Sequence, residues 1–374
     1  MQLLRLLAEH VQLEKPLPWN VYDAGGTLLL SKGYLLTASQ QLDALFARGM
    51  YADAEALKAH WRGSNSPARP QAFDPFSAWS EVQTRLSLLL REHRQTADFT
   101  EKFSQLAQAA RRSCEKDPDV GIFMMMQLDL TRYAVAHSVH CGIVCELIAS
   151  KLGWSESERE VLAKAALSMN IGMVELQATL AAQSGPPNER QRGEIREHPE
   201  RGRIMLATAG VSDSDWLTAV AEHHETPDGH GYPCGKQSVG QLSELIRVAD
   251  VFGAKVSARA GRCALQPDQA ARALFLSMGG NTNPLAAMLI KEVGIYPPGS
   301  FVRLANGETA IVVRRGERAN TPSVAAFANP SGVAYGEPLR RDTAKAEFAV
   351  SGCVPREKVM VRVNPARLYG YERG

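Results

Sequence analysis

The residues best equipped for chemistry lie in the stretch EHHETPDGHGYP at positions 222–233, where adjacent His223 and His224 precede Glu225 and Asp228. A neutral imidazole offers one ring nitrogen to a divalent cation, and a carboxylate adds charge compensation. Of the nine histidines in the chain, six fall in its middle: His137, His140, His198, His223, His224 and His230. Asp250 follows in LIRVADVFGA. Ligands drawn from several helices and meeting in a bundle interior can build a di-metal site. A two-metal site lowers the pKa of a bridging water, which suits hydrolytic chemistry. The isolated His10, His60 and His93 read as surface or satisfied residues. His140, three residues from His137, reads as packing or hydrogen bonding, and His230 as part of the turn.

The elements that must position these residues are mainly helical. Apolar residues recur at helical spacing from Phe76 to about Cys114, through Trp79, Val82, Leu86, Leu89 and Leu90. Helices are expected to continue to about residue 293. Gly153 marks one helix end, and Ser155-x-x-Glu158 is a capping box that starts the next helix. The spacing of Cys141 and Cys145 places them on an amphipathic helix. Met124-Met125-Met126 reads as adaptable core packing. Before the helices, WNVY and TLLL flank DAGG as a β-hairpin, and TASQQLDALFARGM reads as a short helix. RGSNSPARPQAFDP at 62–75 reads as a linker. After YPPG at 296–299, two β-type runs surround Asn306-Gly307, a strong hairpin signal. The expected architecture is mainly α: a small α+β module at 1–60, a linker at 61–75, a helical domain at 76–295 and a β-rich extension at 296–374.

Composition narrows the function. A length of 374 residues allows two or three domains of roughly 100–200 residues each. Lys+Arg minus Asp+Glu is 42 − 40 = +2, which gives no electrostatic case for a nucleic-acid polymer as partner. No run of 18 apolar residues argues for a membrane span, and MQLLRLLAEHVQLEK is too short and too charged for a secretory signal. Six cysteines without a CxxC pair read as reduced, mostly buried thiols of a cytoplasmic protein.

Four blocks between about residues 130 and 265 resemble the HD-GYP family, a branch of the all-helical, metal-dependent HD phosphohydrolases. HSVHCGIVCELIASKLGW is similar to the helix carrying the first histidine ligand, here His137. HPERGRIML resembles the helix that supplies His198, and HHETPDGHGYP the signature that supplies His223, His224 and the Gly231-Tyr232-Pro233 turn. RVADVFGAKVSAR resembles the segment bearing the last acidic ligand, Asp250. The resemblance implies a helical core, a divalent metal such as Fe or Mn, and hydrolysis of cyclic di-GMP. It also implies contacts between the Gly-Tyr-Pro segment and diguanylate cyclase (GGDEF) partners.

The departures bear on activity. Where the family has a block of the form LLHDIGK, this chain has LSMNIGM: Met169 and Asn170 replace the His-Asp pair, and Met173 replaces the lysine. In the family that aspartate bridges the metals. Methionine is a soft, poor ligand for the metals of phosphoester hydrolysis, and asparagine is neutral. Gly253 stands for a second aspartate, Tyr133 for a glutamate found in some members, and Arg259-Ala-Gly for Arg-Pro-Tyr. Arg259 and Arg262 are candidate phosphate contacts. Three readings follow: a degenerate member that binds a nucleotide or a protein partner, an active metal-dependent phosphodiesterase, and a ligand-free adaptor.

Overall fold

The computed structural model describes residues 3–5, 17, 19–34, 50–55, 73–127, 133–257, 260, 265–277, 283–359, 361 and 363–371. They fall into two compact units, residues 1–73 and 74–374.

In the first unit β1 (Leu3–Arg5), β2 (Val21–Tyr22), β3 (Leu28–Leu30) and β4 (Tyr51–Asp53) form one sheet of order β1-β4-β2-β3. The expected hairpin is the β2–β3 pair, with Val21 opposite Leu30. Its turn is closed by Asp23, whose Oδ1 accepts from the backbone N–H of Gly25 and Thr27 at 2.9 and 2.8 Å. Gly26 takes the left-handed conformation that favours glycine (φ +86°). Leu17, Trp19, Val21, Met50 and Ala52 form the small core. The short helix expected at 37–50 lies outside the described residues except for Met50, and so do residues 62–72 of the expected linker.

The second unit opens with α1 (Pro75–Arg91) and α2 (Phe99–Lys116), where the apolar spacing suggested one helical stretch. The break falls at Asp98, whose φ of +55° is left-handed and incompatible with a continuing helix. After α3 (Pro118–Met126) comes α4 (Tyr133–Lys151), the helix expected to be amphipathic. It is instead buried on nearly every side, because neighbouring helices surround it. It is long and apolar enough to cross a membrane, yet 89% of the relevant window is buried inside the protein, so its apolarity is that of a central core helix.

Gly153 (φ +72°) ends α4, and both halves of the Ser155–Glu158 capping box open α5 (Glu156–Ser168). A 3₁₀ turn at Ile171–Met173 leads into α6 (Val174–Ala182). A second capping box, Asn188 with Gln191, starts α7 (Glu189–Thr208). Next come α8 (Ser214–Glu222), α9 (Gln241–Val256), α10 (Pro267–Ser277) and α11 (Pro284–Val293). The 3₁₀ turn lies so close to α7 that a Cβ on Gly172 would stand 2.4 Å from the His198 carbonyl oxygen.

The C-terminal residues form β5 (Phe301–Leu304), β6 (Thr309–Arg314), β7 (Ser323–Ala328), β8 (Ala334–Asp342) and β9 (Val350–Cys353), in the order β8-β7-β6-β5-β9, followed by α12 (Pro365–Tyr369). Asn306-Gly307 closes the β5–β6 hairpin, with Gly307 at φ +86° and Phe301 opposite Ile311. This sheet belongs to the same compact unit as the helices. Phe123 of α3 sits in one cluster with Phe301, Ile311 and Phe327, and Arg314 makes a two-pronged hydrogen bond to Asp117 (3.1 and 3.0 Å).

Candidate metal centre

Four separate segments bring the expected ligands together. His137 stands on α4, His198 on α7, His223 and His224 just beyond α8, and Asp250 on α9. His198 and His223 are fully buried, and His137 is 1% exposed.

The ring orientations of His198 and His223 are fixed from behind. Nδ1–H of His198 donates to the Ile195 carbonyl at 2.6 Å, and Nδ1–H of His223 donates to the Val220 carbonyl at 2.7 Å. A carbonyl only accepts, so each Nδ1 carries the ring's proton and each neutral ring presents a bare lone pair at Nε2. Those two Nε2 atoms face each other at 3.1 Å. Burial pushes the His198 ring down to about 3, with the charge of His223 adding to the effect, and burial also lowers His223. A shared proton is therefore disfavoured near neutral pH. Two lone pairs aimed at one point, each backed by an N–H to a carbonyl, is the arrangement that a divalent cation satisfies. His224 joins them, and the donor atoms of the three histidines lie within 4.8 Å of one another. Burial also holds His224 well below its usual value.

Asp250 links this group to His137. Its Oδ1 accepts from Nε2 of His137 at 2.7 Å, and its Oδ2 lies 3.9 Å from Nδ1 of His224. Burial alone would raise its pKa, but the His137 hydrogen bond, followed by the charges of His137, His224 and His223, holds it below the usual carboxylate range. An anionic Asp250 beside the neutral rings of His198, His223 and His224 is the protonation state metal ligands require. His137, Cys141 and Asp250 form a second group of donors within 4.8 Å of one another.

The 169–173 segment does not complete this set with ligands. Met169 is fully buried in the apolar core. Asn170 is 2% exposed, and among the described residues neither amide atom has a hydrogen-bond partner. Such an orphaned amide is costly in a dry interior and would be satisfied by a polar occupant such as a cation's water. Met173 is half-buried. Tyr133 stacks on the His137 ring (centroids 5.6 Å apart, planes 8° apart), so an aromatic face covers that ligand. A Cβ on Gly253 would lie 3.2 Å from Cε1 of His137, which leaves no room for a longer side chain there without a shift of the ring.

The signature turn is held against the cluster. Tyr232 donates its backbone N–H to the His224 carbonyl at 3.2 Å and stacks on the His224 ring (centroids 4.5 Å). The Tyr232–Pro233 bond is cis. Gly231 is demanded by close approach: its Cβ would stand 2.4 Å from the Thr226 nitrogen and 2.6 Å from the His224 carbonyl oxygen. His230 is exposed and outside the cluster, and buried His140 has no partner for Nδ1 among the described residues. Arg259 and Arg262 lie outside the described residues.

Sequence reasoning noted Glu225 and Cys141 without giving either a role at the site, and missed Arg247. Glu225 is 1% exposed, and its oxygens accept from the backbone N–H of Cys234 (2.7 Å) and Lys236 (2.9 Å), which folds the turn back. Its place directly after the His-His pair was the available signal. Cys141 is one helical turn from His137, and Arg247 is one turn before Asp250. The charge of Asp250 reaches Arg247, and the charge of Arg247 reaches His224.

Residues 102–280 match the HD domain family. A cyclic di-GMP phosphodiesterase of Pseudomonas aeruginosa is 26% identical over 227 residues, covering 60% of this chain and 55% of that protein. The cyclic di-GMP phosphodiesterase response regulator RpfG of Xanthomonas campestris is 29% identical over 144 residues, 38% of each chain. A 3'3'-cGAMP-specific phosphodiesterase of Vibrio cholerae is 26% identical over 175 residues, 46% of this chain and 38% of that one. The chain thus spans about half, or less, of the length of these curated relatives. Among solved structures, an HDG"Y"P protein from Bdellovibrio bacteriovorus aligns over 77% of this chain and 98% of its own, with 13% identity and a TM-score of 0.48.

Proposed function

Taking residues 102–280 as an HD domain related to the HD-GYP phosphodiesterases, we propose that this chain binds a cyclic dinucleotide and hydrolyses it weakly or not at all. The observation that carries the reading is the pair at 169–170. Met169 is buried in apolar core and offers no nitrogen, and Asn170 offers no charge. Two-metal hydrolysis needs an anionic bridge that holds two cations close enough to share a nucleophilic water, and a neutral amide does not supply it. Met173 likewise brings no cation to the phosphate.

Binding is supported by the relatives, which are named for action on cyclic di-GMP and 3'3'-cGAMP. His198, His223 and His224, with Asp250, would hold a divalent cation such as Fe or Mn, which supplies Lewis acidity to a phosphate oxygen when bound. Around them Arg196, Arg201 and Arg247 lie close enough for their charges to act on Tyr232, His198 and His224 respectively, and guanidinium groups suit phosphate oxygens. Gly231, Tyr232 and Pro233 form the adjoining surface, open to the nucleotide or to a diguanylate cyclase partner. Domain boundaries near residues 60, 75 and 295 and a cytoplasmic setting belong to the same proposal.

Calorimetric titration of the purified chain with cyclic di-GMP, alongside chromatography of the mixture for linear product, tests the reading. Saturable binding without product is expected. Sustained turnover would establish an active phosphodiesterase, the reading that the assembled His198, His223 and His224 favour. Neither binding nor turnover would leave the adaptor.

A further inference from the structure

We propose that Cys141 is a metal donor, and that His137 Nε2, Cys141 Sγ and an Asp250 oxygen form a mixed nitrogen–sulfur–oxygen site for a borderline divalent cation of the zinc type. The inference rests on the reading of this cluster as a metal centre and goes beyond it, because a buried cysteine on a core helix ordinarily needs no function.

Three observations separate Cys141 from that ordinary case. His137 and Cys141 are four residues apart on α4, so both side chains project from one face, and Sγ stands 3.8 Å from Nε2. Tetrahedral zinc, with bonds of roughly 2.0–2.3 Å, sets a nitrogen-to-sulfur edge of roughly 3.6 Å, so these two donors are already spaced for a common cation. The 2.7 Å between Nε2 and Asp250 is a hydrogen bond and would widen by roughly 0.7 Å as the cation replaces the shared proton. Next, α9 approaches this point with a bare glycine: a Cβ on Gly253 would lie 3.8 Å from Sγ and 3.2 Å from the His137 ring. Sulfur and imidazole thus occupy the ground that a side chain at 253 would take. Finally, the charges balance. Asp250 with a Cys141 thiolate gives two negative charges against a divalent cation, where Asp250 alone leaves one uncompensated. On binding, the thiol proton leaves to solvent and the Nε2 proton of His137 passes to Nδ1, so the ring stays neutral, and the sulfur and nitrogen lone pairs form the new bonds. No oxidant or reductant is required.

A thiolate donor also changes which metal is preferred. Sulfur favours zinc, cobalt or ferrous iron over manganese or magnesium, which take oxygen donors. Asp250, touching His137 through Oδ1 and facing His224 with Oδ2, lies between this group and the three-histidine group.

The test is titration of the metal-free full chain with Co²⁺ under reducing conditions, read by the thiolate-to-cobalt charge-transfer absorption in the near ultraviolet. The band is expected in the wild-type chain and in Cys145→Ser and Cys234→Ser, and is expected to be lost in Cys141→Ser, whose folding is checked by circular dichroism. X-ray absorption of the zinc-loaded wild-type chain gives a reading independent of any variant, with sulfur expected in the coordination shell. Cobalt bound without the band, a band that survives Cys141→Ser, or zinc without sulfur overturns the proposal and leaves the histidine site and nucleotide binding standing. Binding of no cobalt overturns both metal assignments. A band present in a chain that binds no cyclic di-GMP overturns the function and leaves this site in place.

Discussion

At the scale of single residues, the buried imidazoles write a pH dependence into the fold. His198 and His140 are held near 3, below the usual 6.5, by burial first and then by a neighbouring histidine. A histidine with a depressed folded pKa contributes nothing above 6.5, where both states are neutral. As pH falls from 6.5 towards 3 the unfolded chain takes up a proton that the native ring refuses, so stability falls by about 1.4 kcal/mol per pH unit for each such ring. Asp250 works in the other direction and lower down. Its folded pKa is depressed, so its contribution is complete above about 4 and is lost only below that. Melting temperatures of the metal-free chain are therefore expected to drop steadily from pH 6.5 to 4.5, and His140→Leu, outside the cluster, should flatten the slope by one ring's share. A flat wild-type profile would show that the rings are not buried neutral. Glu225 makes a different contribution at this scale, as the acceptor for two backbone N–H groups. Glu225→Ala should cost about 1–3 kcal/mol in a chemical-denaturation curve and weaken cyclic di-GMP binding, because the turn carrying Tyr232 loses its anchor.

At the scale of elements, close backbone approaches keep the ligands in register. Gly231 and Gly172 both sit where a Cβ would run into backbone, which cannot swing aside as a flexible side chain can. Gly231→Ala should therefore destabilise by about 1–3 kcal/mol and displace His224, while Gly210→Ala tests left-handed strain alone, since nothing stands within 4 Å of that position. If both cost the same in thermal melts, crowding at Gly231 is not what matters. These constraints also explain which parts were legible in sequence. Local signals survived folding: the Ser155–Glu158 box, the Gly153 stop and the Asn306-Gly307 hairpin each depend on a few adjacent residues. The candidate ligand histidines were named by a resemblance, and the fold brings them together. The break at Asp98 was not, since the apolar spacing runs on across it. Nor was the all-round burial of α4, which depends on helices far along the chain. Glu225 and Cys141 act through partners set by tertiary contact, a carboxylate on distant backbone and a thiol one turn from a ligand, and neither stands out in composition.

At the scale of the whole molecule, His137, His198, His223, His224 and Asp250 come from four separated segments, and the fold gathers them into two adjoining donor groups. The candidate ligands are thus assembled beside a segment that offers neither imidazole nor carboxylate, so the weak or absent hydrolysis proposed above should be reversible at 169–170. Met169→His with Asn170→Asp would return a nitrogen and a carboxylate to the segment packed against the His198 turn. Without metal the double variant should be less stable than the wild type by about 1–3 kcal/mol, because an apolar core position receives an imidazole and a buried amide becomes a charge. With Mn²⁺ or Fe²⁺ present the order should reverse, since a cation bound only by the native state adds stability that grows with its concentration. Metal content per chain should rise together with the melting temperature, and cyclic di-GMP hydrolysis should become measurable. Melting curves with and without metal, read beside elemental analysis, decide the matter. A variant that is destabilised and gains neither metal nor metal-dependent stability would mean that the surrounding helices pack around Met169 so that the pair cannot reach the cluster, and the proposed lack of activity would then be a property of the whole fold rather than of two side chains.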